Sequence, residues 1–350
     1  MIKVEKIFFG KHEEKEIYKY RLENRNGFQV NILNLGGIIT EIYVNDKNGE
    51  SKNVVLGYDS LEKYIDNPAY PGAVIGRTAG RIKNGCFSVD GTVYNLYKNN
   101  GQNSLHGGSR GLNSKIFDVR KLCDGIELSY ESPHLEEGYP GNVIFKICYT
   151  VSEDNCLTVT YEAESDRKTY VNLTNHTYFN LSGEMSENGD EQILKIDSDK
   201  VCELGEGLIP TGLFINVENT AFDFRKALSI KEGMEKGHSQ FDITRAYDHP
   251  FVLNSNKIGK IPQVILYSNY SGISMEVYTT ENTAVIYTGN YLDEVPVFYS
   301  RSGNLEKNKR YMGVTVETQD YPNGINERNF GVKLLEKAEK YIQKTIFKFY

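Results

Sequence analysis

Strict two-residue alternation of apolar and polar side chains, renewed along the whole chain, is the feature that most restricts its fold. In Val143, Phe145, Ile147, Tyr149 and Val151 every second residue is apolar, Ser-Glu-Asp-Asn intervenes, and Leu157, Val159, Tyr161 and Ala163 resume the same rhythm. A strand puts successive side chains on opposite faces, so such a pair of runs reads as a half-buried β-hairpin. In Phe87-Ser-Val-Asp90-Gly91-Thr-Val-Tyr94, an Asp-Gly pair sits between alternating arms. This is a strong two-residue hairpin signal, because a type I′ turn needs positive φ at both central positions. Further runs lie at 29–44, 125–131, 273–279 and 311–317. Gly, Asn and Asp punctuate them, with no Pro- or Ser-rich linker and no repeat between them. The expected fold is all-β: one large antiparallel sandwich with only short helices, occupying residues 1–350 as a single domain.

Helical signals are few. Residues 60–65 suggest a short surface helix opened by Ser60. In the tail, Leu334, Leu335, Ala338, Tyr341 and Ile342 fit a helical stripe among strong helix formers, so local propensity alone predicts a helix there.

Charge and composition narrow the function. With 40 basic and 47 acidic residues the net charge is −7, which does not supply the basic field that nucleic acid or an anionic membrane surface requires. No window approaches the ~18 apolar residues of a membrane span, and the N-terminal stretch turns acidic before a signal-peptide core could form. A cytoplasmic protein is expected. The cysteines at 86, 123, 148, 156 and 202 are odd in number, contain no CxxC and have no histidine at ligand spacing. They read as small core residues of a reduced protein, without a structural zinc site.

Five segments break the alternation with dense polar, glycine and aromatic residues, the kind of irregular segment on which a rigid sheet carries sites. They are 70–82, with Gly76-Arg77 and Gly80-Arg81; 103–108, with His106; 172–183, with Asn175-His176; Tyr247-Asp248-His249-Pro-Phe; and 316–322, with Glu317 and Gln319. The Gly-x-x-x-Gly-Arg of the first is no phosphate loop, for it lacks the Gly-Lys-Ser/Thr ending and no helical pattern follows. Taken singly, each histidine here is more readily a satisfied structural group than a catalyst.

Together, and in order, these segments resemble the aldose 1-epimerase (galactose mutarotase) family from about Phe28 to Phe349. The matching motifs are Leu105-His-Gly-Gly108, Asn172-Leu-Thr-Asn-His-x-Tyr-Phe-Asn-Leu-x-Gly183, Ile209-Pro-Thr-Gly212, Thr220-Ala-Phe-Asp-Phe-Arg225, Tyr247-Asp-His249, Tyr287-Thr-Gly-Asn290 and Glu317-Thr-Gln-x-Tyr-Pro322. The resemblance implies a galactose mutarotase-like β-supersandwich and a closing strand, not a helix, at the tail; strand identity follows packing context more than propensity. It implies interconversion of the α and β anomers of a free aldose such as galactose or glucose by acid/base ring opening and reclosure. Such chemistry needs one group to take the C1 hydroxyl proton and another to protonate the ring oxygen, with no metal, cofactor or obligate protein partner.

By residue-by-residue match, the resemblance implies Glu317 as base and His176 as acid, with Arg81 and His106 donating to sugar oxygens and Asp248 accepting from a ring hydroxyl. Tyr178, with the aromatics around Tyr287, is expected to wall the cleft. Arg77 is left outside the site, His249 behind it on the opposite face of its strand, and His12, His134 and His238 on the surface. Two departures, Gly80 where relatives often carry Asn and Phe117 where Trp is common, bear on which sugar is preferred and not on the reaction type. Two alternatives stand beside this reading. A hexose-6-phosphate 1-epimerase should add cationic side chains at the rim, where Arg110 is the visible candidate. A non-catalytic sugar-binding sandwich should have lost its acid or its base.

Overall fold

The alternating runs form the strands they predict. In the computed structural model, which describes residues 1–184, 187–299 and 307–350, Val143–Val151 pairs antiparallel with Cys156–Ser165, Val151 lying opposite Leu157. Along the first strand Val143, Phe145, Ile147, Tyr149 and Val151 are buried. The hairpin of Cys86–Val89 and Thr92–Asn95 turns through Asp90 and Gly91 at φ 50° and 80°, as a type I′ turn demands.

Three antiparallel sheets carry most of the structure. The first is five-stranded and built from residues 3–53. In the second, nine-stranded, the order is Asp118–Lys121, Gly125–Ser132, Val143–Val151, Cys156–Ser165, Lys340–Phe349, Ser274–Thr279, Val264–Tyr267, Ile193–Ile196 and Leu228–Ser229. The third, six-stranded, runs Tyr178–Phe179, Val314–Gln319, Thr283–Tyr287, Asp248–Val252, Lys200–Leu204 and Pro210–Asn216. One face of the six-stranded sheet contributes Phe251, Ile286 and Val316 to a core that also takes Leu266, Met275, Val277 and Phe347 from the nine-stranded sheet. The rings of Phe179 and Phe347 meet across that interface at 5.5 Å. Burying each such side chain stabilises by about 1.5 to 3 kcal/mol, and the opposite face of the six-stranded sheet is left free to floor a site.

The tail is a strand, against its local propensity. Lys340–Phe349 pairs on one side with Cys156–Ser165 and on the other with Ser274–Thr279. Gln343, Thr345, Phe347 and Phe349 turn inward, while Ile342, part of the apparent helical stripe, is 59% exposed. The stripe misleads because half of the inward face is polar: Gln343 Nε2 donates to the Thr318 carbonyl at 2.8 Å, and the Thr345 hydroxyl bonds that of Thr318 at 2.6 Å.

Among the described residues there are three short α-helices: Leu61–Asp66, Ile230–Glu235 and Phe241–Thr244. Ser60 has the extended backbone of an N-cap, but its side chain makes no capping hydrogen bond. Ser229 forms a capping box with Glu232, a signal that the Ser-x-x-Glu spacing carries in the sequence. The core assignment of the cysteines holds for Cys202 alone. Cys123 is exposed in a turn, and Cys86, Cys148 and Cys156 are half-buried on strands whose alternation turns them outward. His12, His134 and His238 are half-buried, not free on the surface. His134 Nδ1 accepts from the Gly141 N–H, and the His238 ring packs edge-on against Phe222 at 5.0 Å.

Candidate active site

The register of the three central strands of the six-stranded sheet arranges the floor. Asp248, Tyr287 and Thr315 form one rung, and Pro250, Val285 and Glu317 the next. Period-two alternation puts these rungs on the free face and sends His249, Ile286 and Val316 into the core. A cleft of about 230 Å³ opens over the floor, lined among others by Arg81, His106, His176, Tyr178, Asp248 and Glu317, so that all six residues singled out in the sequence meet there. His249 lies behind, as expected, with its ring 4.7 Å from that of Phe222 and its Nδ1 accepting from the Asp248 N–H.

The walls come from the irregular segments. His176 follows the two-residue strand Thr174–Asn175; its N–H donates to the Ala73 carbonyl at 2.9 Å, and its own carbonyl accepts from Gly72 at 3.0 Å. The His106 N–H bonds the Gly80 carbonyl, and the Gly80 N–H donates to His106 Nδ1 at 3.3 Å. That bond leaves the His106 proton on Nε2, as a donor. His106 itself has φ 52°, and at the next position a Cβ on Gly107 would lie 1.9 Å from the Gly76 carbonyl oxygen, which accounts for glycine after the histidine. The two imidazole rings stand at 87° with centroids 5.3 Å apart. The Tyr178 ring packs 5.0 Å from that of His176, and its hydroxyl is held by the Ala69 carbonyl.

Two polar pairs result. His176 Nε2 lies 3.5 Å from Glu317 Oε1, both side chains almost fully buried, and the Thr315 hydroxyl donates to the same carboxyl oxygen at 3.0 Å. Arg81 Nη1 lies 3.7 Å from Asp248 Oδ2, with Arg81 Nε donating to Asn100 Oδ1 at 3.1 Å. Burial dominates the electrostatics: it pushes Glu317 up to about 8 and Asp248 to about 6, holds His176 down to about 4, and keeps His106 well below the ordinary histidine value. The His176 and Glu317 shifts favour the same arrangement, a neutral imidazole beside a neutral carboxyl.

One expectation needs correction. The histidine spacing offers no ligand set in the sequence, but the fold brings donor atoms of His106, His176 and Glu317 within 4.8 Å of one another. Residues far apart in the chain can converge where spacing shows nothing. The set remains a poor cage, since His106 Nδ1 already accepts a hydrogen bond and its Nε2 must give up a proton to bind an ion.

Arg77 stays outside the cleft, its guanidinium enclosed by Ser132 and the carbonyls of Pro133, Pro140 and Gly141. Arg110 is exposed and pairs with Glu13 at 3.2 Å, away from the cleft, so among the described lining residues Arg81 is the one arginine or lysine. Phe117 is a core residue against Tyr130 and does not border the cleft, whereas Gly80 does. Gly80 has φ 70°, and a Cβ there would meet Pro322 at 2.7 Å. Among the lining residues to which the motifs give no part are Tyr70 and Gln319. Gln319 shares the face of Glu317 two positions on, which the alternation could have revealed.

The fold and cleft therefore define an all-β sandwich that holds a buried carboxyl and a buried imidazole side by side on the floor of a cleft of small-ligand size. The chain belongs to the aldose 1-epimerase family, whose model matches residues 18–348. It is 38% identical over 333 residues to the galactose mutarotase of Bos taurus, covering 95% of this chain and 94% of that one. With the aldose 1-epimerase of Haemophilus influenzae it shares 34% identity over 335 residues, 94% of each. The crystal structure of galactose 1-epimerase from Lactobacillus acidophilus superposes with a TM-score of 0.87 at 29% identity, over 100% of this chain and 99% of that one.

Proposed function

We propose that this chain, working as one unit over residues 1–350, is a mutarotase interconverting the α and β anomers of free aldoses such as galactose or glucose in the cytoplasm. The observation that carries the reading is the 3.5 Å approach of His176 Nε2 to Glu317 on the cleft floor. In the working form Glu317 is a carboxylate and His176 an imidazolium. Glu317 takes the proton of the C1 hydroxyl, His176 gives one to the ring oxygen, and the bond from C1 to that oxygen breaks. An open-chain aldehyde then lies beside a neutral pair. Rotation about C1–C2 presents the other carbonyl face, and the reverse transfers close the ring as the opposite anomer.

Ion pair and neutral pair hold the same single proton, so the cycle draws none from solvent. Burial favours the neutral pair, the form that accompanies the open aldehyde, while Arg81, His106 and Asp248 hold the sugar oxygens in place and Tyr178 backs the acid. Free sugars are favoured over hexose 6-phosphates because Arg110 is engaged elsewhere. A binding-only role is disfavoured because acid and base are both present and adjacent.

Polarimetry on freshly dissolved α-galactose, α-glucose and α-xylose tests the reading. Rotation should reach equilibrium faster with the protein than without it. Acceleration of hexose 6-phosphates alone would favour the phosphosugar alternative, and sugar binding without any acceleration would leave a binding sandwich.

A further inference from the structure

We infer that Tyr70 is a positioning residue for this reaction, its ring holding the His106 and His176 imidazoles in their crossed arrangement; the inference rests on the mutarotase reading. Tyr70 belongs to a segment conspicuous in the sequence for Pro and Gly, yet the chemistry derived above gives it no part. It lines the cleft. Its ring lies 5.0 Å from that of His106 at 66° and 5.9 Å from that of His176 at 48°, so one aromatic ring touches both imidazoles, which themselves stand at 87°. Edge-to-face and tilted contacts of this kind are the favoured geometry of aromatic pairs.

The backbone that carries Tyr70 is fixed to the same two histidines. Tyr70 closes one turn by donating from its N–H to the Asn67 carbonyl and opens the next by accepting from Ala73, both at 3.0 Å. Pro68 and Pro71 occupy the second position of each turn, where proline fixes φ in advance. Tyr70 itself stands at φ 57° and Gly72 at φ 73°, a conformation a tyrosine holds only where its surroundings impose it. Ala73 and Gly72 make the two backbone hydrogen bonds that place His176. Ring and backbone of the 67–73 segment thus fix one imidazole together, while the ring alone reaches the other. A carboxyl 3.5 Å from its imidazole gives little latitude for a tilted ring, and misplacement by about 1 Å can cost on the order of 100-fold in rate.

The test compares Tyr70→Leu with Tyr70→Phe by steady-state polarimetry on galactose, each variant first checked for an unchanged thermal midpoint. Tyr70→Leu should lower kcat by about 10- to 100-fold with a smaller change in KM, and Tyr70→Phe, which restores the ring without the hydroxyl, should recover kcat to within about threefold of the parent. Two outcomes overturn the inference: a Leu variant that keeps kcat, or a Phe variant as slow as the Leu variant, which would put the phenol hydroxyl itself in the chemistry. Absence of any acceleration by the parent chain would instead be a failure of the mutarotase reading.

Discussion

Arg77 and Arg81 stand four residues apart in one glycine-rich segment and have opposite fates. Every nitrogen of the Arg77 guanidinium is engaged: Nε by the Ser132 hydroxyl, Nη1 by the Pro140 carbonyl, and Nη2 by the carbonyls of Ser132, Pro133 and Gly141, all at 2.9 to 3.1 Å. Arg81 donates Nε to Asn100 and approaches Asp248, leaving its terminal nitrogens with donor capacity toward the cleft. A buried polar group whose bonds are all made inside the protein serves the fold, and one left with spare capacity beside a cavity is available to a ligand. Substitutions on the two sides of this divide should therefore fail in different ways.

The largest effect is expected at Glu317. Glu317→Gln keeps the volume and most hydrogen bonding but removes the base, and should lower kcat by ~10² to 10⁴ with the fold intact. Retention of more than about half the parental mutarotation at neutral pH would remove Glu317 from the chemistry.

Next comes the crossing of the two arginines. Arg77→Met strips the partners from four carbonyls and a hydroxyl and should cost ~3 kcal/mol of stability in denaturant titration, with kcat of the folded protein changed less than about twofold. Arg81→Lys loses the planar fork and should reduce kcat/KM by ~10- to 100-fold at nearly unchanged stability. Equal stability losses in the two variants would break the contrast.

The histidines divide more finely. His176→Asn should act mainly on kcat, because its proton moves only in the transition state. His106→Asn should act mainly on KM, because its Nε2 donor serves bound sugar and transition state alike. Steady-state polarimetry showing the reverse split would exchange their roles.

The smallest effect concerns pH. The working pair carries one proton; it takes up a second as pH falls below about 4 and loses its one as pH rises above about 8, so kcat should fall off outside those limits, while ionisation of Asp248 near 6 should show in KM. Glu317 is pushed up in the fold, so its ionisation opposes folding as pH rises from the ordinary carboxylate range toward 8. Glu317→Gln should accordingly be about 0.5 to 2 kcal/mol more stable than the parent at pH 9, with the difference gone by pH 4. A difference independent of pH in thermal melts would contradict the buried-carboxyl assignment.

The strands were legible because alternation is local: the hairpin through Asp90 and Gly91 and the runs at 143–151 and 157–163 need nothing beyond their own residues. The tail was not, because Gln343 and Thr345 face inward only in the company of Thr318, a partner that local sequence does not display. The site was legible as motifs through their resemblance to a family, and the structure gathers all six residues in one cleft, yet chain spacing alone does not show that His106, His176 and Glu317 converge. Tyr70 escaped because its importance lies in two ring contacts across separate segments.

The strand Lys340–Phe349 lies between Cys156–Ser165 and Ser274–Thr279, both made much earlier during synthesis. Without it the nine-stranded sheet would be divided into two halves, each with an open edge where Lys340–Phe349 now pairs. Open edges invite pairing with other chains, and contacts this distant in sequence form slowly. A chain without that strand would expose two such edges at once. A chain cut short ahead of residue 340 would carry every cleft residue named here and still lack the piece that joins the two halves of its largest sheet.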